Sequence, residues 1–397
     1  MITRHWDGMD MPLLGFGAMR LPVVSKEKDA PIDERAVYEM ADYAYANGVK
    51  CFDTAHPYHG GESERLLGRI LVRWPRDTWY LSTKYPGHQI WDDYNPALFF
   101  EEQMERCGAD YFDFYMLHNV NESSWGIYTD DKLRVVDYFV RQKELGRIRK
   151  LGFSAHGSTE LIERFLSRYD GAMAFCMIQL NYLDWTLQNA QAKYAALRKR
   201  GLPIWVMEPI HGGRLASLPE ESMAKLKTLR PDDSAAAWAL RFVQSLPGVV
   251  MILSGMSTPA QTRDNVRAFS QGDPLSAAET DLLLSIAETL KDGVPCTACG
   301  YCLGRCPRNL NIPEWMNVYN QMRFAPSVNH NMFVNAVPPD LRPSACSACG
   351  ACLPACPQEI NIPGTMEDFG RLFAKIPDWE ALCRERAAIA KKTGARG

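Results

Sequence analysis

The sequence contains no apolar run approaching the length of a membrane span, so no spanning helix is expected. It also lacks a surplus of charge of either sign. Its 44 Lys and Arg face 47 Asp and Glu, a net −3, which leaves no electrostatic case for nucleic acid or an anionic membrane as partner. The opening MITRHWDGMD has no apolar core of the kind a secretory signal needs, and a cytoplasmic location is the expectation. No G-x-G-x-x-G follows the first β-type run, which counts against a doubly wound dinucleotide-binding sheet. No flavin fingerprint is found either.

Cysteine is plentiful, and its distribution is uneven. Of the 12 cysteines, Cys51, Cys107, Cys176 and Cys383 are scattered and read as buried thiols. The other eight lie in CTACGYCLGRCP, from Cys296, and CSACGACLPACP, from Cys346. A disulfide framework suits a small secreted domain, which this chain is not, so the grouping points to metal. The two 21-residue stretches from these cysteines agree at 12 positions with a constant offset of 50, an internal duplication. Each runs into Asn-Ile-Pro and then into helical sequence, so the tail is expected to be mainly α-helical.

Up to about residue 270, β-type runs alternate with amphipathic helical runs. Strands are expected at 13–19, 50–55, 79–84, 112–118, 149–154, 175–180, 204–208 and 249–255. The helical pattern at 32–48 closes on Asn47-Gly48, a stop signal. Asp7-Gly8 predicts a hairpin ahead of the first strand, and 276–291 an added helix. Eight strand–helix units in this length predict an α/β fold, a (β/α)8 TIM barrel over 1–291. A break at 292–295 then opens the tail domain, 292–397. A doubly wound sheet is the alternative.

The spacing C-x2-C-x2-C-x3-C-P is that of bacterial ferredoxins, and the tail resembles the helical dicluster ferredoxins. That resemblance implies two [4Fe–4S] clusters, in each of which the last cysteine of one run serves the other. Cys296, Cys299, Cys302 and Cys356 would hold one, and Cys346, Cys349, Cys352 and Cys306 the other. Zinc is the alternative for paired cysteines. The clusters either carry electrons or staple the tail.

Barrel active sites lie at the C-terminal ends of the strands. Reading those ends gives Asp53, Lys84 and His118, with Tyr58 in the loop after the second strand. His56 and His59 flank Tyr58 and read as a metal pair or, in the blander view, as a polar rim. His156 and His211 also follow strand ends; they read as pocket walls and receive no chemical role. The stretches FDTAHPYHGGESE, LSTK, MLH and GFS resemble the aldo-keto reductases over roughly residues 10–270. The resemblance implies that Tyr58 is the general acid, Lys84 lowers its pKa, Asp53 holds Lys84, and His118 orients a carbonyl or alcohol substrate. It also implies a nicotinamide cofactor against Ala18, Met19, Asp53, Ser154, Gln179 and Met207, with Gly255, Met256, Ser257, Gln261 and Asn265 on its nucleotide half. Two departures stand out: Ala155 replaces an expected Asn, and Met207 an expected aromatic. The absence of basic residues at 255 and 261 leans toward NADH while leaving NADPH open.

Hydride moves electrons in pairs and a cubane moves them singly. Clusters would therefore link the barrel to a redox partner, a ferredoxin or flavoprotein, or to a second cofactor such as a flavin. The rival reading is an electron-transfer subunit whose barrel is a docking or flavin-binding platform; another keeps the enzyme and makes the clusters structural. Substrate choice falls to loops 85–95 and 119–130. Their aromatics, Tyr85, Trp91, Tyr94, Trp125 and Tyr128, suggest a ring-bearing or sugar-like carbonyl compound, although exposed aromatics also line protein interfaces.

Overall fold

The computed structural model describes residues 1–25, 27, 30–91, 93–270, 272–291, 293–296 and 298–393, without the side chains of 387 and 389–393. Strands β1 (Thr3–Trp6) and β2 (Met9–Pro12) form an antiparallel hairpin. Its turn, Asp7-Gly8, takes positive φ at both residues (49° and 76°), as a two-residue hairpin requires. The hairpin closes the barrel floor: Trp6 stacks on Phe114 at 5.7 Å and meets the edge of Phe175.

Eight parallel strands follow: β3 (Leu14–Gly17), β4 (Cys51–Asp53), β5 (Tyr80–Tyr85), β6 (Phe112–Val120), β7 (Ile148–Ala155), β8 (Phe175–Gln179), β9 (Ile204–Met207) and β10 (Val249–Gly255). Each pairs with its sequence neighbour, and β10 pairs with β3 to close the barrel. The TIM-barrel expectation is met strand by strand. Helices Glu34–Ala46 and Ala277–Leu290 stand where expected.

Side-chain direction along the strands builds the site. Phe114 and Met116 point into the barrel with Cys51, Phe175, Met177, Trp205 and Met251. Tyr115 and Leu117 point out to the helices with Phe52, Leu81, Phe153 and Ile178. Residues alternate faces along a strand. The next inward positions toward the C-terminal mouth are therefore Asp53 after Cys51, Lys84 after Ser82, and His118 after Met116. Gly152 makes room in the interior, since a Cβ there would lie 2.6 Å from the Phe175 ring.

The tail is helical, with Ile312–Phe324, Val328–Ala336, Ile362–Phe373 and Trp379–Thr393. The duplication persists in the backbone. Positive φ recurs at Ala298 and Ala348, Gly300 and Gly350, and Asn309 and Glu359. Leu310 and Ile360, Ile312 and Ile362, and Met316 and Met366 share one small core. Asp292, where the sequence places the domain boundary, lies outside the described residues. Among those described, no helix is long and apolar enough to cross a membrane.

Candidate active site

The mouth of the barrel opens into a cavity of about 570 Å³. Asp53, Tyr58, Lys84 and His118 all line it. Lys84 is buried, and its Nζ donates to Asp53 Oδ2 at 2.6 Å and to the Thr54 carbonyl at 2.7 Å. The same ammonium lies 4.9 Å from the centroid of the Tyr58 ring, and the Tyr58 and His118 rings meet edge-on at 5.9 Å.

The Asp-Thr-Ala…Ser-Glu pattern does structural work behind this group. Thr54 Oγ1 and Ser63 Oγ share a hydrogen bond of 2.8 Å. The buried Glu64 accepts from Thr83 Oγ1 and Gln103 Nε2, both at 2.6 Å. Gln103 also donates to the Lys84 carbonyl at 3.1 Å, so the pattern fixes the segment of β5 that presents Lys84.

Burial dominates the electrostatics. It pushes the Tyr58 pKa above its ordinary value of 10, although Lys84 pulls the other way; Asp53 offsets part of that pull. The sequence reading expected a phenol made more acidic by Lys84, and the resting site instead holds its proton more firmly. Burial alone would lower the Lys84 pKa, but Asp53 and Tyr58 together raise it. Burial raises Asp53 despite Lys84. Burial, then His88 and Lys84, hold His118 well below 6.5, so its imidazole is neutral.

The expected cofactor positions divide. Met19, Ser154, Met207, Gly255, Met256, Ser257, Gln261 and Asn265 line the cavity with Asp53. Ala18 and Gln179 do not. Ala18 is buried, with its carbonyl bonded to Ser63. Gln179 gives its amide to the buried Asp184 at 2.9 Å, and Asp184 also binds His211 at 2.8 Å. Ser154 Oγ accepts from the Asn119 N–H, and Asn265 donates to Ser254.

The loop aromatics are corrected. None of Tyr85, Trp91, Tyr94, Trp125 and Tyr128 lines the cavity. Tyr128 braces the strand ends by donating to the His118 carbonyl at 2.7 Å, and Tyr85 packs on Phe99 and Phe139. His56 accepts from Arg106 at 2.8 Å, in keeping with the polar-rim reading. His156 does reach the cavity, whereas His211 serves Asp184. Sequence reasoning missed Arg20, His88 and Glu208, and it missed the wall contributed by the tail: Asn329, Met332, Trp379 and Arg386. No local pattern marks those four residues.

The cysteines gather in two apolar chambers. One is lined by Cys296, Cys299, Cys302 and Cys356, the other by Cys306, Cys346, Cys349 and Cys352. These are the two crossed sets. Among the described residues no three His, Cys, Asp or Glu side chains converge tightly enough for a single metal ion. Four thiols spread around a chamber suit a cluster, in which each thiolate takes a different iron, better than one tetrahedral zinc.

Residues 13–288 match the model of the Aldo/keto reductase family, and residues 295–361 that of a 4Fe-4S dicluster domain. The chain is similar to the NADH-specific methylglyoxal reductase of Escherichia coli (strain K12), at 24% identity over 303 residues, or 66% of this chain and 90% of that protein. It is similar to L-galactose dehydrogenase of Arabidopsis thaliana at 23% over 299 residues, 69% and 89% of the two chains. Among solved structures, the holo form of an aldo-keto reductase from Bacillus halodurans shares the fold, with a TM-score of 0.57, 24% identity, and coverage of 70% of this chain and 93% of that one.

Proposed function

The chain belongs to the aldo/keto reductase family, as a nicotinamide-dependent oxidoreductase continued by a 4Fe-4S dicluster domain, and from that premise we propose that it reduces an aldehyde or ketone, or oxidises the matching alcohol, at the barrel mouth. The observation that carries this reading is the buried Lys84–Asp53 pair set beneath Tyr58. Tyr58 donates a proton to the carbonyl oxygen. The resting phenol keeps its proton, as a donor must, and the cost of releasing it falls on the transition state. There the nascent phenolate meets the Lys84 ammonium, whose attraction grows as charge develops. Asp53 keeps Lys84 charged and in place. The neutral imidazole of His118 is left to hydrogen-bond the carbonyl and orient it.

Reduced nicotinamide, when bound, supplies the hydride. Met207 and Ser154 would face its ring, and the segment from Gly255 to Asn265 its nucleotide half. NADH is favoured over NADPH because neither Gly255 nor Gln261 offers a cation to a 2′-phosphate, and a similar protein carries the name NADH-specific. The clusters, held by the crossed cysteine sets, supply single-electron transfer. Cys299 and Cys349 are exposed, which leaves the clusters accessible to a ferredoxin or flavoprotein. The barrel unit is assigned to 1–291 and the cluster unit to 292–397, in the cytoplasm.

Tyr58→Phe tests the reading. With methylglyoxal and other small aldehydes, kcat should fall about 10²–10⁴-fold, the contribution of a positioned acid, while NADH binding followed by fluorescence persists. Unaltered carbonyl reduction would refute it.

A further inference from the structure

The cluster-bearing tail does more than sit behind the barrel. Helices Val328–Ala336 and Trp379–Thr393 reach the mouth, where Asn329, Met332, Trp379 and Arg386 form one wall of the cavity. The joint is built from specific bonds. Trp379 is buried, donates from Nε1 to the His88 carbonyl at 3.2 Å, and stacks on the His88 ring at 5.5 Å. His88 in turn lies 4.4 Å from the His118 ring. Asn329 accepts from Asn119 Nδ2 and meets His156 Nδ1, each at 3.2 Å. The wall therefore stands at the end of β6, beside His118. It is across the barrel from the end of β10, where the nucleotide half is assigned.

Charge on this side is sparse. Burial holds His88 near 3 and His156 near 4, so both rings are neutral along with His118. Lys84 is committed to Asp53. Glu208 and Asp264 also line the cavity, but they lie on β9 and β10 side of the mouth, where Asp264 is bonded to Ser234 and Arg267. Arg386 is left with the Trp379 ring, 5.7 Å from its guanidinium, and with no carboxylate partner among the described residues. Arg384, two positions earlier on the same helix, is paired with Glu380 at 3.3 Å.

We propose that the cluster-bearing unit supplies the substrate-reading wall of the active site, and that Arg386 pairs there with an acidic group on the carbonyl substrate, a carboxylate or a phosphate. The inference rests on the carbonyl-reducing reading and deepens it. A flat apolar face, Trp379, next to a guanidinium with no carboxylate partner among the described residues selects a compound that carries its carbonyl at one end and an anion at the other.

The test is calorimetric binding to the full-length, cluster-loaded protein in the presence of NAD⁺, which prevents reduction of the probe. The probes are 4-carboxybenzaldehyde, 4-formylphenyl phosphate and neutral 4-methylbenzaldehyde. At least one acidic probe should bind about 10-fold tighter than the neutral one, the scale of a charge-assisted hydrogen bond, and the larger preference tells carboxylate from phosphate. Arg386→Ala should bring the ratio near one, Arg386→Lys should keep most of it, and Arg384→Ala should leave it intact. A wild-type ratio near one, or a ratio that survives Arg386→Ala, overturns the proposal. The readout is binding, so an Arg386-dependent ratio without Tyr58-dependent turnover would sink the carbonyl-reduction reading alone.

Discussion

Lys84 has its charge buried and its hydrogen bonds committed to Asp53 and Thr54. Removing one member of a buried pair strands the other. Asp53→Asn should therefore cost about 3–5 kcal/mol of stability, read from denaturant unfolding. Replacing both, as Asp53→Leu with Lys84→Met, should recover most of that loss, because no charge is then left unpaired. A single-variant loss below about 1 kcal/mol would mean that Lys84 does not depend on Asp53. Asp53, Lys84 and His118 were legible because alternation along each strand puts them one step beyond residues that fill the barrel, and Tyr58 because it stands in the loop that follows Asp53. The acidity of Tyr58 was not legible. Proximity to an ammonium can be guessed from strand ends, but the larger effect of burial depends on the whole cavity. Gln179 was misjudged for a similar reason: a side chain near the mouth is free for a ligand only if nothing else claims it, and Asp184 does.

Helix Ala277–Leu290 shows how an element's ends connect to the rest of the fold. Ser276 and Glu279 form a capping box, and Glu279 also binds Arg230 Nε at 2.6 Å. The Arg230 guanidinium, with help from Ser276 and against burial, lowers the Glu279 carboxyl from 4.5 to about 2. A carboxyl whose pKa falls on folding lends stability above its unfolded value. That stability drains away as pH drops through the interval toward 2. Glu279→Gln should thus lower Tm at about pH 7 yet leave it close to wild type near pH 2; a gap that stays constant with pH would assign the loss to the cap and not to ionisation. Elements themselves were well marked in the sequence, since strand runs, the Asp7-Gly8 turn and the repeated cysteine loops each carry a local signal. The aromatics of 85–95 and 119–130 misled because loop position does not fix direction. Tyr128 turns inward to hold the His118 carbonyl, and Trp379, an aromatic that joins Tyr58 in lining the cavity, arrives from nearly three hundred residues away in sequence.

Such long-range docking was invisible in the chain and is what joins its two chemistries. Helix Ile312–Phe324 begins at the cluster chambers, where Ile312 lines both, and ends with Phe324 against His211 at 5.3 Å. The two chambers make the tail one unit, because each is lined by thiols from both halves of the repeat. Combining Cys302→Ser with Cys356→Ser should damage a single cluster and leave about four irons per chain, whereas Cys302→Ser with Cys306→Ser should damage both and leave almost none. Equal iron in the two double variants would contradict the crossed sets. One hydride carries two electrons, and two cubanes accept one each, so the counts match without a leftover electron. Nicotinamide does not readily divide its pair, which makes an intermediary such as a flavin the expected companion. NADH added anaerobically to the protein as isolated should bleach the brown absorbance of the clusters, and the bleaching should saturate at about one NADH per chain, given two one-electron centres. If the colour persists while aldehyde is reduced at full rate, the clusters only hold the tail against the barrel mouth, and the wall that carries Trp379 and Arg386 is their purpose.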